Sequence, residues 1–308
     1  MIDKILSILK CPFCGTAFKN VKILRKNPSK EGIYGIIKCN CDEFPIVEDI
    51  FYLKKDDLLS NRKIVENIKK QKKDKAVWNS LAFTSKRHKI LIFTIFVLQK
   101  YLNIILDYKF VLRLFSIIGP SRSWFKYLSN RESLGDPQHS LDVMEKSTPA
   151  KPGVIIDVGY GLGDFQRMLA KNKIYFNRYI GIDKNFFSLL TSQIFHKPKD
   201  AILVCCDVNF GLPIKSKEAD FVLFLDSYWQ MHKKKLLIDE AARVLKQNGK
   251  LMIINMYKTN KHNYYYGYGL NTNLLKSFLS TNFKKIKIII NILLSKDRDT
   301  YSLVAQKK

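Results

Sequence analysis

The chain has 308 residues, 46% of them apolar, which is enough for a large core and excludes a chain disordered throughout. Its 53 Lys and Arg against 27 Asp and Glu give a net charge of +26. That charge fits a polyanionic partner, nucleic acid or an anionic membrane surface, and equally fits the Lys-, Ile- and Asn-rich usage of an AT-rich coding sequence.

The start, MIDKILSILKCPFC, lacks a long apolar stretch and a small-residue cleavage site. The expectation is a cytoplasmic chain whose six cysteines are reduced. Residues 1–55 read as a compact unit holding Cys11-Pro-Phe-Cys14 and Cys39-Asn-Cys41. Two close thiolate pairs, each near a chain reversal, are what a tetrahedral structural zinc requires, so Cys11, Cys14, Cys39 and Cys41 are the expected ligands. Residues 56–75 shift to Lys, Asp and Asn and predict a polar linker running into a solvated helix. The run 89–118 is apolar but is broken by Lys100, Asp107, Lys109 and Arg113. It predicts buried or amphipathic helices rather than a membrane span of about 20 apolar residues, and leaves open a peripheral membrane contact through 90–118. Gly119-Pro120 ends it, and 131–152, with three prolines, reads as a loop. The whole of 56–152 is thus a basic linker and helical segment.

From 153 to 308 short apolar runs alternate with helical stretches, the pattern of a parallel α/β sheet. Strands are expected at 154–158, 179–183, 201–206, 219–225, 250–255, 284–290 and 301–305. Helices are expected at 164–171, 186–195, 233–245 and 274–279. The first strand runs into Gly159-Tyr-Gly-Leu-Gly163. Glycines there permit positive φ and close approach of backbone to a ligand, and the next helix points its first amides at it. The G-x-G-x-G spacing is tighter than that of a dinucleotide fingerprint. Acids close the first three strands: Asp157, which disfavours a pyrophosphate and favours a sulfonium or amino group, Asp183, placed to meet a ribose diol, and Asp207, placed to accept from an adenine amino group. For any one of them a helix N-cap is the alternative.

These motifs, IIDVGYGLGDF, YIGID, LVCCDVNFGLPIKSKEADFVLF and EAARVLKQNGKLMIIN, resemble the class I S-adenosylmethionine (SAM) dependent methyltransferase superfamily over about residues 153–308. The resemblance implies a Rossmann-like α/β fold with a seven-stranded sheet whose last strand is antiparallel. It implies SAM as methyl donor, with Gly159, Gly161 and Gly163 at the methionine part, Asp183 at the ribose and Asp207 at the adenine. Tyr160 stands where a small residue or Cys is usual, and either narrows the pocket or points away. The N-terminal stretch CPFCG…KCNCDEFPIVEDIFYL resembles a zinc-ribbon-like family that includes the activator subunit of tRNA and protein methyltransferases. Here Glu48-Asp49-Ile50-Phe51 replaces its usual Asp-Gly-Ile-Pro.

After the fourth strand comes Asp226-Ser-Tyr-Trp-Gln-Met-His232, which in such proteins faces the acceptor. His232 is the candidate base, and Tyr228 or Trp229 could stack on a flat acceptor, with packing of the next helix as the alternative for all three. The Tyr- and Gly-rich run 263–271 reads as a flap or a loop. No Asn/Asp-Pro-Pro-Tyr/Phe or Pro-Cys/Thr-Cys nucleophile motif is present. The expected partners are SAM and an acceptor that is RNA or a small, lipid-like molecule. A non-catalytic SAM-binding or partner-binding protein is the other class.

Overall fold

The computed structural model describes residues 2–24, 32–55, 58–82, 84–104, 106–118, 125–126, 136–146, 153–174, 176–196, 201–257, 262–263, 267–290 and 300–308. Its frame is one sheet of eleven strands in the order β1-β2-β3-β4-β7-β6-β5-β8-β9-β13-β12. The last seven of that order are the expected sheet: β5 (Val154–Val158), β6 (Arg178–Asp183), β7 (Ala201–Cys206), β8 (Ala219–Leu225), β9 (Leu245–Tyr257), β12 (Phe283–Ile290) and β13 (Thr300–Lys307). Strand β13 is antiparallel to both β9 and β12. The turn between β12 and β13 lies outside the described residues.

The other four strands correct the expected count. β1 (Lys19–Leu24), β2 (Tyr34–Lys38), β3 (Glu43–Val47) and β4 (Ile50–Leu53) form an antiparallel meander. β4 then pairs parallel to β7, from Ile50↔Leu203 to Leu53↔Cys206. The N-terminal unit therefore continues the sheet, because the outer edge of β7 carries a row of backbone donors and acceptors that need partners. The β3–β4 turn has two residues, Glu48 and Asp49, at φ 50° and 62°, the left-handed pair of a tight hairpin made without glycine.

Each face of the sheet has its own core. One is covered by α1 (Ile2–Leu6), α9 (Lys234–Val244) and α10 (Thr272–Ser280), through Leu6, Leu237, Ile238, Ala241, Leu275 and Leu279. The other is covered by α2 (Leu58–Lys69), α3 (Lys73–Ser80), α4 (Lys86–Leu102), α5 (Tyr108–Ile117), α6 (Asp136–Glu145), α7 (Asp164–Lys171) and α8 (Phe186–Phe195). The helices start where side chains cap them: Ser85, Asp107, Asn185 and Asn271 each accept from a backbone N–H of the first turn.

Two middle-segment expectations change. Residues 58–80 form two helices packed on the N-terminal strands rather than a solvated linker. Ile64, Val65 and Ile68 are buried, and Asn61 Nδ2 donates to Glu43 O at 3.2 Å. Their i, i+1, i+4 apolar spacing gives one narrow stripe, enough to dock a short helix on a sheet face. Within 131–152, residues Asp136–Glu145 are helical, because Leu141, Val143 and Met144 find the sheet core. The helices of 90–118 pack on α8: Gln99 Nε2 donates to Ile194 O at 2.9 Å, and His88, Phe115 and Phe125 gather around Phe187. No helix among the described residues is long and apolar enough to cross a membrane.

Candidate cofactor site and metal centre

The glycine loop joins β5 to α7 at the carboxyl end of the parallel strands, where doubly wound sheets bind ligands. Its three glycines have φ of 84°, 60° and 81° at 159, 161 and 163. Their surroundings differ. A Cβ on Gly159 would sit 2.4 Å from Ser227 Cβ, and one on Gly163 would sit 2.3 Å from the Tyr160 hydroxyl. Both positions are closed by packing. A Cβ on Gly161 would meet nothing nearer than Gly159 O at 4.0 Å, so this glycine alone faces open space. The cradle a side chain would fill is at Gly161, which suits close approach of a ligand to backbone.

Tyr160, the unusual residue of the loop, points away from that cradle. Its ring lies against Gly181, and its hydroxyl meets Gln166 Oε1 at 2.8 Å and Ser192 Oγ at 3.0 Å. Burial raises its pKa, so it stays a neutral phenol. Asp157 is buried and accepts from Tyr179 OH at 2.7 Å. Asp183 accepts from Gly161 N at 2.8 Å through one oxygen and from Asn185 N at 2.8 Å through the other. Burial raises its pKa above the usual carboxylate range, opposed by those two amides and by the Lys184 and Lys54 charges. Asp207 caps the short turn Val208–Phe210, accepting from Asn209 N and Nδ2 at 2.9 Å each through Oδ1. The N-cap alternative thus describes one oxygen of Asp207.

On the acceptor side, the structure gives Tyr228 the packing role. Its ring is buried against Phe224 and its hydroxyl donates to Lys234 O at 2.9 Å, which leaves no face for stacking. His232 is exposed; its N–H donates to Asn209 Oδ1 and its carbonyl accepts from Tyr268 OH. The 263–271 run falls partly outside the described residues; overlapping its start, β10 (His262–Asn263) pairs antiparallel with β11 (Gly267–Tyr268). A polar row that the sequence did not reveal continues from the glycine loop along the carboxyl edge. Ser227 Oγ donates to Val158 O at 2.5 Å. Asp226 N donates to Ile254 O at 3.1 Å, beside Asn255. Asn255 N donates to Ser302 Oγ at 3.4 Å, and Ser302 Oγ lies 3.2 Å from His139 Nε2. These residues come from four elements up to 163 positions apart, so no local motif marks them.

The four cysteines converge. The Sγ atoms of Cys11, Cys14, Cys39 and Cys41 lie within 4.8 Å of one another. Four thiolates around a tetrahedral ion at about 2.3 Å would stand about 3.8 Å apart, so modest closure completes the set. The first pair sits on a knuckle in which Cys11 O accepts from Gly15 N and Cys11 N donates to Thr16 O, both at 2.9 Å, with Gly15 at φ 74°. Lys55 Nζ lies 3.2 Å from Cys41 Sγ, offsetting thiolate charge. This centre touches the cofactor side: Phe13, between the first two cysteines, has its ring 5.4 Å from that of Phe210, in the turn capped by Asp207.

Residues 156–253 match the family described as a methyltransferase domain. A solved complex of the Haloferax volcanii Trm112 methyltransferase activator with its proposed methyltransferase resembles this fold at a TM-score of 0.50 and 15% identity, over 61% of this chain and 95% of that one. A SAM-dependent methyltransferase from Thermotoga maritima aligns at a TM-score of 0.43 and 18% identity, over 59% of this chain and 97% of that one. Among curated proteins, no relative matches the chain. The matched stretch begins inside β5, at the strand that delivers the glycine loop, and ends inside β9, beside the polar row.

Proposed function

We propose that the chain is a SAM-dependent methyltransferase whose N-terminal unit is a built-in, zinc-bearing support for the cofactor side. The observation that carries this reading is the open cradle at Gly161, flanked by Asp183, in a matched methyltransferase domain. SAM supplies a methyl group on a positively charged sulfur. The chain's own residues would then bind and orient: Gly161 at the methionine part, Asp183 at the ribose, Asp207 through its second oxygen at the adenine, and Asp157 as fixed negative charge beneath the loop. Positioning of this kind can lower a barrier by several kcal/mol. The activator partnership belongs to the Haloferax complex. Here we read β4 and the Cys11–Cys14 knuckle as fulfilling that role within one chain, since β4 extends the sheet beside the strand that leads to Asp207.

The test is transfer of labelled methyl from SAM into an extract of cells lacking the gene, fractionated into RNA, protein, lipid and small molecules. Label in RNA assigns the basic surface to docking. Label in lipid or small molecules assigns the acceptor to the other class, and there the exposed α5 residues Phe110 and Ile117, flanked by Lys109 and Arg113, suit an anionic membrane surface. Binding of S-adenosylhomocysteine without transfer to any fraction would leave the second reading, a non-catalytic SAM-binding protein.

A further inference from the structure

We propose that His139 is the general base of the reaction, held by Ser302 and Asn255, and that the acceptor is therefore a protic nucleophile, an O–H or N–H group. The inference rests on the methyltransferase reading above. It starts from where polar side chains lie. The sheet face under α6 is otherwise apolar, with Leu141, Met144, Ile254 and Val304 in one core. Yet Asn255, Thr300 and Ser302 at its carboxyl edge, and Ser140 on α6, are buried, at 4%, 3%, 0% and 2% exposure. Buried polar groups are costly unless bonded, so such a layer at the ligand-binding edge is a built feature.

The backbone agrees. Asp226 and Asn255, at the ends of adjacent strands, take φ of 54° and 58°, left-handed conformations that are uncommon outside glycine and that gather at functional sites. The row from Gly159 through Ser227, Asp226, Asn255 and Ser302 ends on His139, which is only half-buried. Among the described residues, His139 is the histidine bonded to this row, whereas His232 is on the surface with its backbone tied to Asn209 and Tyr268. Ser302 Oγ accepts from Asn255 N and lies 3.2 Å from His139 Nε2. His139 Nε2 is engaged with Ser302 Oγ, so Nδ1 is the ring atom assigned to meet the acceptor's proton.

The step balances without a further reagent. The acceptor atom bonds to the methyl carbon while its proton passes to His139. The carbon–sulfur bond breaks and its electron pair remains on sulfur, which becomes a neutral thioether. His139 then releases the proton to water.

The experiment compares wild type, His139→Ala, His139→Gln and Ser302→Ala in two assays: calorimetric binding of S-adenosylhomocysteine and label transfer into the fraction that accepts it. Both His139 variants are expected to lose about 10²- to 10⁴-fold in transfer while binding S-adenosylhomocysteine as wild type does. Glutamine keeps the size and a donor toward Ser302 but takes no proton. Added imidazole is expected to restore part of the transfer in His139→Ala, which a merely structural histidine would not show. Full transfer by both His139 variants overturns the proposal, and so does a loss of transfer matched by loss of binding and unmoved by imidazole. A wild-type chain that binds S-adenosylhomocysteine yet labels no fraction sinks the methyltransferase reading itself, and this one with it.

Discussion

At the scale of single residues, the three loop glycines separate into two kinds. Gly161→Ala places a methyl in the cradle, so it is expected to weaken S-adenosylhomocysteine binding strongly, with a stability cost of about 1 kcal/mol for its positive φ. Gly159→Ala adds a clash with Ser227 to the same backbone penalty and should lower the melting temperature more than Gly161→Ala does. Calorimetry and thermal melting of the two variants distinguish these outcomes. Lys234 makes a different prediction. It is buried, with Nζ on the carbonyls of Tyr228 and Trp229 at 3.1 Å each and also on that of Met231, and 4.0 Å from the Tyr268 ring centre. Burial lowers its pKa to about 7. In the unfolded chain it titrates near its ordinary value of about 10.4. Between those values the unfolded state binds more protons, so stability rises with pH. Chemical denaturation from pH 7 to 10 should therefore show wild type gaining on Lys234→Met; a constant difference between the two would refute it.

At the scale of elements, the ties between the N-terminal unit and the helical face can be weighed. Lys100 Nζ lies 2.9 Å from Glu48 Oε1 in the β3–β4 turn, with side chains only 13% and 10% exposed, and Tyr34 OH donates to the same carboxylate. Removing one partner leaves a largely buried charge. We expect Lys100→Met to cost about 2–3 kcal/mol, somewhat less than for a fully buried pair, and the double variant Lys100→Met/Glu48→Gln to cost less than the single one. Urea denaturation of both measures this. The proposed metal site at the four cysteines makes a second test. Stripping metal with a chelator, or Cys11→Ser, is expected to weaken S-adenosylhomocysteine binding, because the Phe13–Phe210 contact links the knuckle to the Asp207 turn. Wild-type affinity after verified metal loss would break that link.

Legibility in the sequence followed locality. The glycine loop and the acids after β5, β6 and β7 are contiguous signals, and β5, β7, β8, α7 and α8 have the expected bounds. Residues 58–80 were masked by lysines, which hide the stripe of Asn61, Ile64, Val65 and Ile68. The β4–β7 pairing is a backbone event with no side-chain signature. His139, Ser302 and Asn255 become neighbours only once three elements have folded together.

At the scale of the whole molecule, a chain of net charge +26 sets three acids, Asp157, Asp183 and Asp207, around the cofactor cradle. If RNA is the acceptor, its binding should fall steeply with salt; binding of S-adenosylhomocysteine should change little, since that ligand carries no phosphates whose counterions are released. Removing residues 1–55 would uncover the edge of β7, and the shortened chain is expected to aggregate or to pair edge to edge. Light scattering on that variant tests it. The same pairing has a consequence in time. Ile50 meets Leu203, so β4 leaves the ribosome 203 − 50 = 153 residues ahead of its partner. At about 5–20 residues per second that is a wait of roughly 8–30 s. During synthesis a metal ion held by Cys11, Cys14, Cys39 and Cys41, all present once Cys41 has emerged, would be a cross-link able to hold the young meander in shape until its neighbour is made.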